Sequence, residues 1–457
     1  MKKLVVGCLV FACAAVSLAG SPKYVFVFVG DGMSTPQRMV AEEFSSKCGC
    51  GELAMNRLPY HATTRTKSAN AVITDSAAAA TAIACGCKTG NGMVGVDKDG
   101  NRVESVAEVA KKSGKKVGIV TTVTIVHATP AGFYAHNKSR GAAYQIALDL
   151  VDSGFDYFAG GGVYAKFDDR KNPKYRGDVF ELARKTGYVV TRDDKAAWAA
   201  LRPGVRAWSV FGDNGMQFAI DADGSQPTLA ELVAKGVELL DNPKGFFLMC
   251  EGGKVDYAGH ANDAATNLRD VLALDAAVKV ALAFQEKHPD DTLVVTTGDH
   301  ETGGLSMGFA GIGGKFKVEL LAGQKISTER FSEDVKKLIA DRKGEVSFAE
   351  MKPVLAEKFG LAELSPQEEE TLSAAFEKDV GFMKAKLKDT TAHDVKRRYV
   401  FAQAVKNALN ARAGVGWSSG SHTALPTLTT AKGPGAEILL GMTENSDIGD
   451  RLKKLLR

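Results

Sequence analysis

The strongest constraint on this chain is a recurring alternation. Four apolar runs, at residues 24–29, 117–121, 246–250 and 293–297, each end in polar or glycine-rich sequence. Those ends read GDGMST, TTVTIVHATP, EGGKVD and GDHETGG. A strand covered on both faces reads as such an unbroken run, because neither side meets water. Helical patterns separate the runs. One spans 103–112, another places Leu229, Leu232, Val233, Val237 and Leu240 at helical spacing, and a long one covers 262–286. Strand–helix alternation predicts an α/β fold with a large, mostly parallel, doubly wound sheet. Ligand chemistry in such folds collects at the carboxyl ends of the strands. Residues of about 310–412 break the pattern. They are rich in Lys and Glu, with a helix-like stretch at 364–387 that opens on Ser365-Pro366-Gln367-Glu368. An inserted cap between two core segments is expected there.

The N-terminus reads differently again. Lys2 and Lys3 precede an apolar stretch over 4–16, followed by Ser17-Leu18-Ala19. This predicts a secretory signal peptide at 1–19, with 20–457 as the mature chain. The stretch is shorter than the roughly 20 residues of a membrane span, so no stable span is expected. Export permits disulfides. The cysteines of the mature chain are Cys48, Cys50, Cys85, Cys87 and Cys250. Its two Cys-x-Cys pairs leave a bridge between pairs, a soft-metal site or free thiols open. A net charge of +4 on 457 residues is too small to argue for a nucleic-acid partner.

Several polar residues at the run ends are suited to chemistry. Asp31 follows the first run inside Gly-Asp-Gly, as a metal ligand or as a turn aspartate bonding its own backbone. Ser76 precedes an alanine run of high helix propensity, with Val72 and Ile73 suggesting a strand before it. A serine at a helix start can face an anion, although Asp75 or Ser76 can equally serve as the helix cap. No Gly-x-Ser-x-Gly elbow surrounds Ser76, so its weak hydroxyl needs other activation, for which a bound cation would serve. Glu251, Asp256 and His260 follow the third run, Asp299 and His300 the fourth, and His422 lies in a Gly/Ser-rich loop. Asp256 and His260 would share one helix face. Nitrogen and oxygen donors of this kind suit zinc. Arg140 offers a planar fork suited to phosphate oxygens, or an ordinary surface ion pair.

The strings VFVGDGMS (27–34), TDSAAAATAIACG (74–86), HATPAGFYAHNKSR (127–140), EGGKVDYAGH (251–260), TTGDHETGG (296–304) and GSHT (420–423) follow one another across most of the chain. In that order they resemble the alkaline phosphatase family. The resemblance implies a three-layer α/β/α sandwich, a homodimer, two zinc ions, one magnesium ion and hydrolysis of small phosphate monoesters. It casts Ser76 as a nucleophile that becomes phosphoserine. Asp31, Asp299 and His300 resemble the ligands of the zinc beside it, and Asp256, His260 and His422 those of the second. Asp31, Thr129 and Glu251 resemble the magnesium set, with Arg140 as the phosphate clamp. An exported, periplasmic enzyme is expected.

Two positions depart from the best-known enterobacterial pattern. His127 stands where that pattern has an aspartate near magnesium, which makes it a residue behind the metal ligands. Tyr257 stands where it has a lysine near phosphate. Both changes are expected to weaken the ion or anion concerned. Two other readings compete. Relatives acting on phosphodiesters or sulfate esters are disfavoured by Arg140, which answers the extra charge of a monoester, and by the absence of a Cys/Ser-x-Pro-x-Arg context at Ser76. A non-catalytic exported protein is disfavoured by retention of the full ligand set together with Ser76.

Overall fold

The computed structural model describes residues 21–164, 174–388 and 400–457. The expected signal peptide lies outside the described residues. In chain order the strands are β1 (Tyr24–Gly30), β2 (Tyr60–Arg65), β3 (Lys116–Thr124), β4 (Tyr157–Gly161), β5 (Tyr188–Arg192), β6 (Arg206–Val210) and β7 (Phe246–Gly252). They continue with β8 (Thr292–Gly298), β9 (Glu301–Thr302), β10 (Leu305–Met307), β11 (Val415–Trp417), β12 (His422–Thr423), β13 (Thr427–Lys432) and β14 (Gly441–Glu444). Ten of them form one sheet in the order β14-β2-β13-β8-β1-β7-β3-β4-β6-β5, in which only β13 is antiparallel to its neighbours.

The four apolar runs are β8, β1, β7 and β3, side by side at the sheet centre. Alternate residues of β1 feed two separate cores. Tyr24, Phe26 and Phe28 pack on one face, and Val25, Val27 and Val29 on the other. That is why the run has no polar side, and why helices cover both faces of the sheet in three layers. Register then fixes the site. Gly30 at the end of β1 pairs with Gly252 of β7 and with Gly298 of β8. The segments beginning at Asp31, Gly253 and Asp299 therefore leave the sheet at one level, along one edge.

Some expectations differ from the structure. Val72 and Ile73 are in no strand. They lie exposed in a bend before the helix Ser76–Cys85. No neighbouring strand offers them a ladder, so β-propensity alone does not decide the matter. The helical pattern at 262–286 begins later, as Ala264–Lys287. Asn262 adopts a left-handed conformation (φ 53°) that separates it from the helix Lys254–His260. Asp263 caps the new start by accepting from the Thr266 backbone. All five described cysteines are free, so the two Cys-x-Cys pairs do not bridge.

Between β10 and β11, which pair with each other, the described residues form a 3-10 helix, Val318–Gly323, and four α-helices: Thr328–Asp341, Phe348–Phe359, Pro366–Lys388 and Val400–Ala413. The third α-helix opens as its sequence suggests, with Ser365 and Glu368 bonded reciprocally. Phe331, Phe348 and Phe376 all meet the Phe401 ring, at centroid distances of 6.0, 6.2 and 5.0 Å. This aromatic group is continuous with the core that covers β1. The helices are thus built onto one face of the sheet, without a core of their own.

Candidate active site

Ser76 is the first residue of its helix. Asp75 caps that helix by accepting from the Ala78 backbone at 3.0 Å. The second Asp75 oxygen accepts from Gly92 N at 3.0 Å and from Arg140 Nη1 at 3.1 Å. Arg140 Nη2 in turn donates to His127 Nε2 at 3.0 Å. The guanidinium is held at two corners, which fixes the direction of its plane. Burial works against its charge, yet the adjacent Asp75 carboxylate outweighs that and raises its pKa.

Ser76 Oγ lies 3.1 Å from His300 Nε2. The same nitrogen is 3.4 Å from Asp31 Oδ1 and 3.3 Å from Asp299 Oδ2. Asp31, Asp299 and His300 form one group with ligand atoms within 4.8 Å of one another, and Asp256, His260 and His422 form a second. The stacked rings of His300 and His422, 3.7 Å apart at their centroids, join the two groups. Pairing of β12 with β9 brings His422 there by setting it opposite Thr302. A third group contains Asp31, His127 and Glu251. Thr129 completes it, with its hydroxyl 3.3 Å from Asp31 Oδ2. Asp31 thus belongs to two groups.

Hydrogen bonds set the histidine tautomers. His260 Nδ1 donates to the Gly420 carbonyl at 2.8 Å, and His422 Nδ1 to the Thr74 carbonyl at 2.9 Å. Thr302 spends its hydroxyl proton on Asp256, so it accepts from His300 Nδ1 at 3.3 Å. In all three rings the Nε2 lone pair is left facing carboxylates, as a metal ligand requires. His127 is reversed. An arginine can only donate, so His127 Nε2 accepts and Nδ1 carries the proton. That N–H is 3.7 Å from Asp31 Oδ2 and 3.9 Å from Glu251 Oε1. Its tautomer places His127 behind the ligands rather than among them.

Electrostatics favours cations at these groups. Asp31, Glu251, Asp256 and Asp299 are all buried. Burial drives the Asp31 carboxyl well above its ordinary range, and the charges of Asp299, Asp256 and Glu251 push the same way. Burial does the same to Asp299, against hydrogen bonds from the Gly32 and His300 backbones. The His300 imidazole is pushed well down by burial and by His422 and Arg140 nearby. Asp31 Oδ1, Asp299 Oδ2, Glu251 Oε1 and His127 Nδ1 are buried without a hydrogen-bond partner. Orphaned carboxylate oxygens beside imidazole nitrogens are the donor set of a zinc site. The all-oxygen trio of Asp31, Thr129 and Glu251 suits magnesium. The residues present fit both metals.

Close approach makes one glycine necessary. Gly32 has φ 72°, and a Cβ there would lie 2.8 Å from the Asp256 backbone. Tyr257 stands beside these groups. Its ring is 6.1 Å from that of His127, edge to face, and burial raises its phenol pKa.

The candidate site residues of the sequence are therefore gathered at the carboxyl ends of the central strands. Sequence reasoning treated Asp75 only as a cap and missed its hold on Arg140. It also missed Thr302 and Thr121, which donate to Asp256 and Glu251. Thr302 stands two residues after His300, which was its signal, whereas Thr121 meets Glu251 only through the register of β3 with β7.

Comparison with known proteins agrees with this geometry. Residues 22–457 match the profile of the family described as alkaline phosphatase. Alkaline phosphatase 4 of Bacillus subtilis is 33% identical over 451 residues, which covers 95% of this chain and 88% of that protein. The crystal structure of a cold-active alkaline phosphatase from a psychrophilic Shewanella species superposes with a TM-score of 0.80 at 27% identity, covering 95% of this chain and 100% of that one. A His-to-Asp mutant of the TAB5 alkaline phosphatase, with Mg bound in its M3 site, superposes with a TM-score of 0.67 at 25% identity and covers 96% and 99% of the two chains. The chain belongs to the alkaline phosphatase family of metal-binding phosphate-monoester hydrolases.

Proposed function

We propose that the chain hydrolyses small phosphate monoesters through a phosphoserine formed on Ser76, with two zinc ions and one magnesium ion at the three ligand groups. The observation that carries this is the 3.1 Å approach of Ser76 Oγ to the His300 nitrogen that faces Asp31 and Asp299. Asp31, Asp299 and His300 would hold one zinc, Asp256, His260 and His422 the other, and Asp31, Thr129 and Glu251 the magnesium. When bound, the zinc ions supply Lewis acidity to the serine hydroxyl and the leaving oxygen, and magnesium supplies an ordered water shell beside them.

The chain's own residues do the rest. Arg140, fixed by Asp75 and His127, turns its remaining N–H groups to the non-bridging oxygens of the phosphoryl group. Tyr257 lines the same site. The start of the Ser76 helix favours the negative charge. Ser76 Oγ attacks phosphorus in line, and the alcohol leaves on the opposite side. Water then attacks phosphoserine in line, and Ser76 is restored. Two inversions give net retention at phosphorus. Since recognition centres on the phosphoryl group, the alcohol is loosely read, and the helices inserted between β10 and β11 act as a cap that narrows the choice.

On the same reading the signal peptide at 1–19 exports the mature chain to the periplasm, where it works as a homodimer. Sedimentation of the mature chain tests the assembly. The activity test is hydrolysis of an aryl phosphate with and without a zinc chelator, with an aryl phosphodiester as control. Chelator-sensitive turnover of the monoester, far faster than that of the diester, is expected. Equal turnover of both esters would contradict the reading.

A further inference from the structure

Lys254 begins the helix that carries Asp256, Tyr257 and His260. It is buried, at 7% exposure. A buried charge is costly unless something answers it. Among the described residues no carboxylate comes within 4 Å of its ammonium, although Glu329, Asp270 and Asp221 act on it from farther away. Its direct partners are two aromatic faces. Lys254 Nζ lies 4.5 Å from the Phe218 ring centroid and 5.0 Å from that of Tyr257. The Tyr257 ring also meets His127, edge to face at 6.1 Å. Tyr257 is thus held between an ammonium and the imidazole that steadies Arg140. Its hydroxyl makes no hydrogen bond among the described residues, so it is available to a ligand.

We propose that Lys254 is a positioning residue of the phosphate site, clamping the Tyr257 ring by cation–π contact so that its hydroxyl addresses a phosphoryl oxygen. A cation over a ring face is attracted by the ring's quadrupole, which resists rotation of the ring away from it. The position that has a lysine in the enterobacterial pattern is a tyrosine here, and a buried lysine three residues earlier stands behind it. This inference rests on the reading that phosphate occupies the site bounded by Ser76 and Arg140.

The test uses the full mature enzyme with its metals, and inorganic phosphate as the probe. KM and the phosphate inhibition constant are expected to rise together in Lys254→Met, by about fivefold, the order of one cation–π contact that keeps access to water. The change in kcat should stay within about twofold, since a contact made equally in ground and transition states moves KM alone. Lys254→Arg should restore both constants, because a guanidinium also stacks on aromatic faces. In a Tyr257→Leu background Lys254→Met should add nothing. A fall in kcat with KM and the inhibition constant unchanged would mark a merely structural lysine and overturn the proposal. So would an equal shift in the Tyr257→Leu background. Should Lys254→Met not fold, Phe218→Leu loosens the same clamp and carries the same expected and overturning results. Failure of the underlying reading would look different, since the parent enzyme itself would then show no inhibition by phosphate.

Discussion

The hydroxyl of Ser76 and the Nε2 of His300 stand 3.1 Å apart although 224 residues separate them in the chain. They meet because one starts a helix after a bend and the other ends the turn after β8, at the same edge of the sheet. Thr302 fixes the His300 ring from behind, so the lone pair on this side is settled before any ligand arrives.

Metal removal should weaken the fold as well as the reaction. With its ions chelated the protein holds the Asp31 and Asp299 carboxyls at pKa values well above their ordinary range. A raised folded-state pKa contributes stability below the unfolded value, which is lost as pH rises through the folded value. The two groups therefore destabilise the metal-free fold most above the raised carboxyl range and least in acid. His300, whose pKa is lowered, acts in the opposite sense as pH falls below its ordinary range. The gap in Tm between metal-loaded and chelated protein should be widest at neutral and alkaline pH and should narrow on acidification. A gap independent of pH, followed by calorimetry, would contradict this account.

Asp75→Asn should separate the two jobs of that residue. Asparagine is as good a helix cap, so Tm should move little. Loss of the charge-assisted bond to Arg140 should lower kcat/KM by about tenfold. The effect should vanish in an Arg140→Ala background. Equal losses in both backgrounds would mean that Asp75 acts elsewhere.

Much of this was legible in the sequence, for a physical reason. A buried parallel strand needs an unbroken apolar run, so β1, β3, β7 and β8 announce themselves, and the residues after them must fall at one edge. Asp31, Glu251, Asp299 and His300 were readable in that way. Hydrogen bonds between distant segments were not. The carbonyls of Thr74 and Gly420 that orient His422 and His260 carry no side-chain signature. The same is true of Asp75. Its local role as a cap hides its contact with Arg140, 65 residues away. Residues 72–73 misled because strand propensity counts only where a partner strand exists.

His127→Asp should tighten magnesium. The protonated Nδ1 of His127 turns toward Asp31 and Glu251 without a lone pair to give. An aspartate there would add a hard oxygen and could still accept from Arg140. The magnesium concentration for half-maximal activation should fall by about tenfold. An unchanged titration would place the magnesium elsewhere.

Tyr257→Lys should make inorganic phosphate a stronger inhibitor, because an ammonium then meets the product dianion directly. The inhibition constant should fall by about tenfold, the worth of a hydrogen bond to a charged group. Steady-state inhibition at fixed substrate reads this. No change would remove position 257 from the phosphate site.

The most direct measurement is to mix the metal-loaded enzyme with a labelled aryl phosphate, quench in acid and map the label by peptide mass. The account predicts label on Ser76, none in Ser76→Ala, and a loss of kcat of about 10³ or more in that variant. Full turnover by Ser76→Ala with no labelled residue would contradict it, since water would then attack the ester without a covalent enzyme.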